Sequence, residues 1–109
     1  MNTELQPVPV AYIRASNDND HDALAALFLS DAIVRDEGKT YVGPSEIRAW
    51  SKAAAEAYDF RLELLSLEES ELGVTATCRV SGAFGDPIDL PFEFTLVGEK
   101  IKMLTIDGG

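Results

Sequence analysis

The stretch DAIVRDEGKTYVG, residues 31–43, alternates apolar and polar positions with a period of two, as a half-buried strand does. Read as a strand from Ala32 to Glu37, it puts Ala32, Val34 and Asp36 on one face. Ile33, Arg35 and Glu37 take the other, so a carboxylate continues an apolar stripe. Gly38 supplies the turn in DEGKT, and Tyr41 and Val42 return as the second arm of a hairpin. Upstream the spacing is helical. Pro7 and Pro9 suit a lead-in or first helical turn, and VAYIRAS runs on as a helix until the turn-rich NDND. A second helix, capped by Asp20 or Asp22, carries Leu24, Leu27 and Phe28 at i, i+3, i+4 and ends at Asp31. A third covers GPSEIRAWSKAAAEAY, with Pro44 or Ser45 in its first turn and Ile47, Trp50, Ala54 and Ala57 on one stripe.

From Tyr58 onward the period returns to two. YDFRLELLSLEE sets Tyr58, Phe60, Leu62 and Leu64 on one face, and GVTATCRVSG does so with Val74, Ala76, Cys78 and Val80. PIDLPFEFTLV groups Ile88, Leu90, Phe92, Phe94 and Leu96, and EKIKMLTI closes the chain. Turns fall at EESELG, GAFGDP and VGEK. Pro91 fits a sheet only at a bulge or with its missing N–H turned outward. Helices first and a meander of strands after predict the α+β class rather than a parallel βαβ sheet. The expected architecture is a strongly curved antiparallel sheet with three N-terminal helices on its concave face. The other face, rich in Thr, Arg and Glu, is solvated or pairs with a second subunit.

Composition narrows the function. The chain of 109 residues, 46% apolar, suits one domain with a real core. A net charge of −10, from 19 acids against 9 bases, disfavours nucleic-acid backbones and anionic membrane surfaces. No apolar run approaches the roughly 20 residues of a membrane span, and MNTELQPVPV shows no signal-peptide pattern. The single cysteine, Cys78, excludes an internal disulfide, reads as a buried small hydrophobe and fits a reducing, cytoplasmic setting. No phosphate-binding glycine loop occurs, and one His with one Cys leaves little material for a metal site or a triad. His21, in NDNDHDA, reads as a turn residue. No cofactor and no metal are expected.

YIRASNDNDHDALAALFLSDAIVRDEGKTYVGPSEIRAW resembles the first half of SnoaL-like proteins of the nuclear transport factor 2-like superfamily. The shared pattern is A-x-N-x-x-D after the first helix, D-x-L-x-x-L-F-x-x-D-A, a short acidic strand, and G-x-x-x-I-R-x-W. VSGAFGDPIDLPFEFTLVGEKIKMLTI is similar to the group's later strand pair, so the resemblance covers nearly the whole chain. It implies a cone-shaped α+β barrel with a pocket between sheet and helices, and a homodimer. Steroid Δ-isomerases of that superfamily carry a catalytic tyrosine on the first helix and an acidic base on the first strand. Aligned without gaps, Tyr12 falls on the tyrosine and Asp36 on the base. Their second oxyanion donor is an acid on a later strand, where this chain reads LPFEF and offers Phe92. A phenyl ring cannot donate a hydrogen bond, so half of an oxyanion hole is missing.

The candidate catalytic residues are therefore Asp36, as general base next to a carbonyl, and Tyr12, as donor to the enolate. Duller readings stand beside them: Asp36 as turn chemistry at a strand end, and Tyr12 as a helix residue snorkelling to water. Trp50, Tyr58, Phe60, Phe92 and Phe94, with Phe28 and Val34, are either ligand lining or plain core. Glu37 should face solvent or an interface, Asp31 should end a helix, and Arg48 should sit in a surface ion pair. Two functions fit: an isomerase or cyclase-type enzyme acting on a small hydrophobic carbonyl compound, or a non-catalytic small-molecule-binding or dimerisation module.

Overall fold

The structure, a computed structural model, describes residues 7–71, 73–83 and 85–106. Parts of the expected EESELG and GAFGDP turns, and residues 1–6 of the lead-in, lie outside the described residues. The element order is α1 (Pro7–Asn17), α2 (His21–Ala26), β1 (Phe28–Asp36), β2 (Lys39–Val42), α3 (Gly43–Tyr58), β3 (Arg61–Glu69), β4 (Gly73–Gly82), β5 (Gly85–Val97) and β6 (Lys100–Ile106).

The six strands form one curved, unclosed sheet in the order β2-β1-β6-β5-β4-β3. The α+β class, the curved sheet and the three helices are as expected. One seam departs from a wholly antiparallel sheet: β1 lies parallel to β6, with Val34 opposite Leu104 and Asp36 opposite Ile106. The β1–β2 hairpin occupies one edge of β1, so its other edge is left for the last strand of the meander. The four-residue β2 passes straight into α3 and carries the chain off the sheet at that edge.

The second helix is shorter than its spacing suggests. It stops at Ala26, and Phe28 already opens β1, opposite Ile101. The Ile101 amide donates to the Leu27 carbonyl at 2.8 Å, so strand pairing captures the backbone that a further helical turn would need. Asp31, expected at a helix end, is exposed in the irregular part of β1 between Phe28 and Ile33. Pro91 pairs with Thr77 of β4, one residue outside the last described β5–β6 pair, Phe92–Ile106.

The core follows the alternation. Val74, Ala76, Cys78 and Val80 of β4 are buried against Phe92 and Phe94 of β5, with Leu104 and Ile101 of β6 beneath. Leu24, Ile47 and Val34 are sealed between helices and sheet, each worth about 1.5–3 kcal/mol of apolar burial. α3 starts on Pro44 and a Glu46 carboxylate that accepts from the Val42 amide at 2.8 Å. It ends where Asp59 turns left-handed at φ 47°.

The A-x-N-x-x-D segment has a physical reading here. Asn17 donates to the Leu62 carbonyl at 2.9 Å and accepts from the Leu62 amide at 2.8 Å, standing in for a neighbouring strand on the edge of β3. Asp20 caps α2, accepting from the Ala23 amide at 3.1 Å. Together they fix α1 and α2 over the sheet and enclose the space described next.

Candidate functional site

Between helices and sheet lies a cavity of about 350 Å³. Its walls are mostly apolar: Phe60, Leu62, Val80, Leu90, Phe92 and Ile106 from the sheet side, Trp50, Ala54 and Tyr58 from α3. Its polar groups are few: Tyr12, Ser16, Ser51, Asp36 and Glu37. A few polar groups converging on an apolar pocket of this size is the usual form of a small-molecule site.

Asp36 is the last residue of β1 and shares its face with the fully buried Ala32 and Val34. Its Oδ2 accepts a hydrogen bond from Trp50 Nε1 at 3.1 Å. Burial holds the Asp36 carboxyl above the usual carboxylate range; the Trp50 bond pulls it back, and the charge of Glu37 pushes it further up. Tyr12, on α1, is 3% exposed. Its ring meets Phe94 edge-on at 5.4 Å and Phe28 at 6.3 Å, with Phe92 at 6.2 Å. Burial, then the negative charge of Asp36, then Cys78, push the Tyr12 phenol far above its ordinary value, so it is a neutral hydrogen-bond donor.

The two candidate catalytic residues therefore line one cavity, as do Trp50, Tyr58, Phe60 and Phe92. Phe28, Val34 and Phe94, expected as ligand lining, do not line it. Phe28 and Phe94 lie behind Tyr12 and hold its ring, while Val34 is sealed beneath the helices. Glu37 is exposed, as expected, and it also borders the cavity. It leaves the strand with φ 55°, and with Gly38 at φ 77° it forms the two-residue turn between Asp36 and its partner Lys39. Strand parity no longer applies to it, and it lies at the cavity while exposed.

A second hollow, about 410 Å³, lies on the other side of Trp50 and shares Asp36, Glu37, Ala54 and Tyr58 with the first. Tyr41, stacked at 33° against Trp50 with ring centres 5.9 Å apart, forms part of its wall. Asp36 thus borders both hollows.

Sequence reasoning missed Ser16 and Ser51, both 6% exposed. The signal was present: Ile47, Trp50, Ser51 and Ala54 occupy i, i+3, i+4, i+7, so Ser51 stands on an inward stripe. His21, expected as a plain turn residue, opens α2 and places Nδ1 2.8 Å from Ser51 Oγ. Arg48 forms the expected surface ion pair, with Asp22. Burial pushes the Cys78 thiol up to about 11, which suits a core residue and not a nucleophile. Among the described residues no three His, Cys, Asp or Glu side chains are grouped to hold a metal, and no helix is long and apolar enough to cross a membrane.

The SnoaL-like domain family matches residues 10–102. Among solved structures, a candidate polyketide cyclase from Sinorhizobium meliloti is 32% identical, with a TM-score of 0.91 over 98% of this chain and 99% of that one. A protein with a ketosteroid isomerase-like fold from Catenulispora acidiphila, in complex with trimethylamine, is 22% identical, with a TM-score of 0.78 over 91% and 82%. A candidate ketosteroid isomerase from Kribbella flavida is 12% identical, with a TM-score of 0.80 over 93% and 74%. The last two bear on the fold alone. A search of the curated proteins finds no match.

Proposed function

This chain belongs to the SnoaL-like domain family, and from that premise we propose that its cavity takes a small hydrophobic carbonyl compound and removes a proton next to the carbonyl. The observation that carries the reading is a half-buried Asp36 carboxylate, fixed by Trp50, in an apolar cavity that also presents the Tyr12 hydroxyl. In this reading ionised Asp36 takes the proton from carbon, and Tyr12 donates to the oxygen as the enolate forms. Asp36 then returns the proton to another carbon, which gives isomerisation, or the enolate attacks a second carbonyl and the alkoxide so formed takes the proton back from Asp36, which gives cyclisation.

Phe92 shapes the substrate. With an apolar ring lining the cavity where a second donor would help, the enolate is held by one hydrogen bond. A missing oxyanion donor typically lowers rate by about 10²–10³. That deficit favours a carbon acid already acidified by two carbonyls over a simple ketone, in keeping with the polyketide cyclase assignment of the Sinorhizobium neighbour.

The same residue favours the second reading, binding without chemistry. Turnover separates the two: a β,γ-unsaturated cyclic ketone and a linear 1,3-diketone are offered to wild type and Asp36→Asn across pH. The expected result is wild-type turnover that rises with pH through the Asp36 titration, and a loss of about 10²-fold or more in the variant. No turnover above background in either protein sinks the enzyme and leaves the binder. The proposal includes a homodimer, in which a second copy covers exposed Leu65 of β3 and Val97 of β5; a monomer mass by light scattering removes that part.

A further inference from the structure

We propose that Ser51, held by His21, is a second polar subsite of the cavity, so that the ligand carries two oxygen functions separated by an apolar body. One oxygen meets Tyr12, beside Asp36; the other meets the Ser51 hydroxyl. The inference rests on the ligand-binding cavity of the preceding section and not on its chemistry.

Trp50 and Ser51 are consecutive on α3, so their side chains leave the helix about 100° apart. Trp50 turns toward β1, where its nitrogen holds Asp36, and Ser51 turns toward α2, where its Oγ lies 2.8 Å from His21 Nδ1. One helix thus presents two polar points in different directions within one cavity, with Ala54 and the aromatic and aliphatic sheet residues between them. Ser51 lines the cavity and His21 does not, so the imidazole supports the hydroxyl from behind.

A buried hydroxyl in apolar surroundings is unfavourable unless bonded, and His21 satisfies one of its three hydrogen-bonding positions. Either tautomer leaves Ser51 able to serve a ligand. When His21 Nδ1 accepts, Ser51 donates to it and offers lone pairs to a ligand hydroxyl. When Nδ1–H donates, the Ser51 proton is available to a ligand carbonyl. Ser16, one helical turn after Tyr12, is the other buried hydroxyl of the wall. Hydroxylated or oxo-substituted bicyclic compounds have this chemistry.

A tie between α2 and α3 would also explain the His21–Ser51 bond, and ligand preference separates the two. The probes are 2-naphthol, with one oxygen, and its 1,5-, 2,6- and 2,7-diol relatives, whose second oxygen sits at different fixed spacings. Calorimetric titration of wild type should show at least one diol bound about two- to tenfold tighter than 2-naphthol. Ser51→Ala should abolish that preference while still binding 2-naphthol, which also reports that the variant is folded. Ser51→Cys, close in volume and a weaker donor, is the fallback should the alanine variant not fold. His21→Ala should weaken the preference. Wild type that binds 2-naphthol but prefers no diol overturns the subsite alone, as does a preference that survives Ser51→Ala. Wild type that binds neither probe overturns the cavity reading and this inference with it.

Discussion

Replacing Trp50 by Phe removes one hydrogen bond and leaves the Asp36 carboxylate facing the same cavity. The bond lost is Trp50 Nε1 to Asp36 Oδ2, at 3.1 Å. Hydrogen bonds to charged groups contribute about 1.5–3 kcal/mol, and a long bond to a half-exposed carboxylate belongs at the low end. About 1.5 kcal/mol is close to one pKa unit at roughly 1.4 kcal/mol per unit. The bond favours the ionised form, so its loss moves the Asp36 titration upward, beyond the rise that burial already gives it. The direct assay follows the Asp36 carboxyl carbon by NMR through a pH titration of wild type and Trp50→Phe.

Stability supplies an independent check with a fixed sign. Asp36 has a folded pKa above its unfolded one, so ionising it weakens the fold: its contribution is fully present below the unfolded pKa and fades as pH rises through the folded value. Trp50 opposes that loss. The stability gap between wild type and Trp50→Phe should therefore be smallest in acid and widen by about 1.5 kcal/mol as pH climbs through both folded titrations. The part that does not vary with pH is packing, including the ring contact with Tyr41. In an Asp36→Asn background only that part should remain. A gap independent of pH, or an Asp36 titration unmoved or lowered in Trp50→Phe, refutes the electrostatic role of the indole.

Tyr12→Phe should lower kcat on the ketone substrate by about 10²–10³ with little change in KM. An undiminished kcat removes Tyr12 from the mechanism. Asn17→Ala should destabilise by about 1–3 kcal/mol, since both backbone groups of Leu62 lose their partner, and hydrogen exchange at the Leu62 amide should accelerate. Unchanged exchange there would show that the edge of β3 does not depend on Asn17.

What could be read from the chain is what neighbouring residues decide. The third helix, with Pro44 at its start, and the alternation of Val74, Ala76, Cys78 and Val80 depend on local spacing, and both stand as expected. Phe28 was illegible for the opposite reason. Its spacing from Leu24 suits a helix, and the competitor that wins is Ile101, a strand partner more than seventy residues away. Ser51 and His21 are thirty residues apart and read singly as a helix hydroxyl and a turn imidazole. Only the packing of α2 on α3 makes them a pair.

Asp36 shows how far the local reading reaches. Strand parity put it on the buried face, while the DEG sequence made it turn chemistry, and the two readings looked like rivals. They describe one arrangement. Because β1 ends at Asp36, the carboxylate reaches the cavity while remaining half-buried, and that burial raises its pKa. Because the turn is only two residues long, Glu37 is forced to φ 55° and leaves strand parity. That brings a second carboxylate to the same cavity, where its charge adds to the rise at Asp36. The turn therefore tunes the candidate base, and replacing Glu37 by a neutral residue should lower the Asp36 titration, opposite in direction to the loss of Trp50.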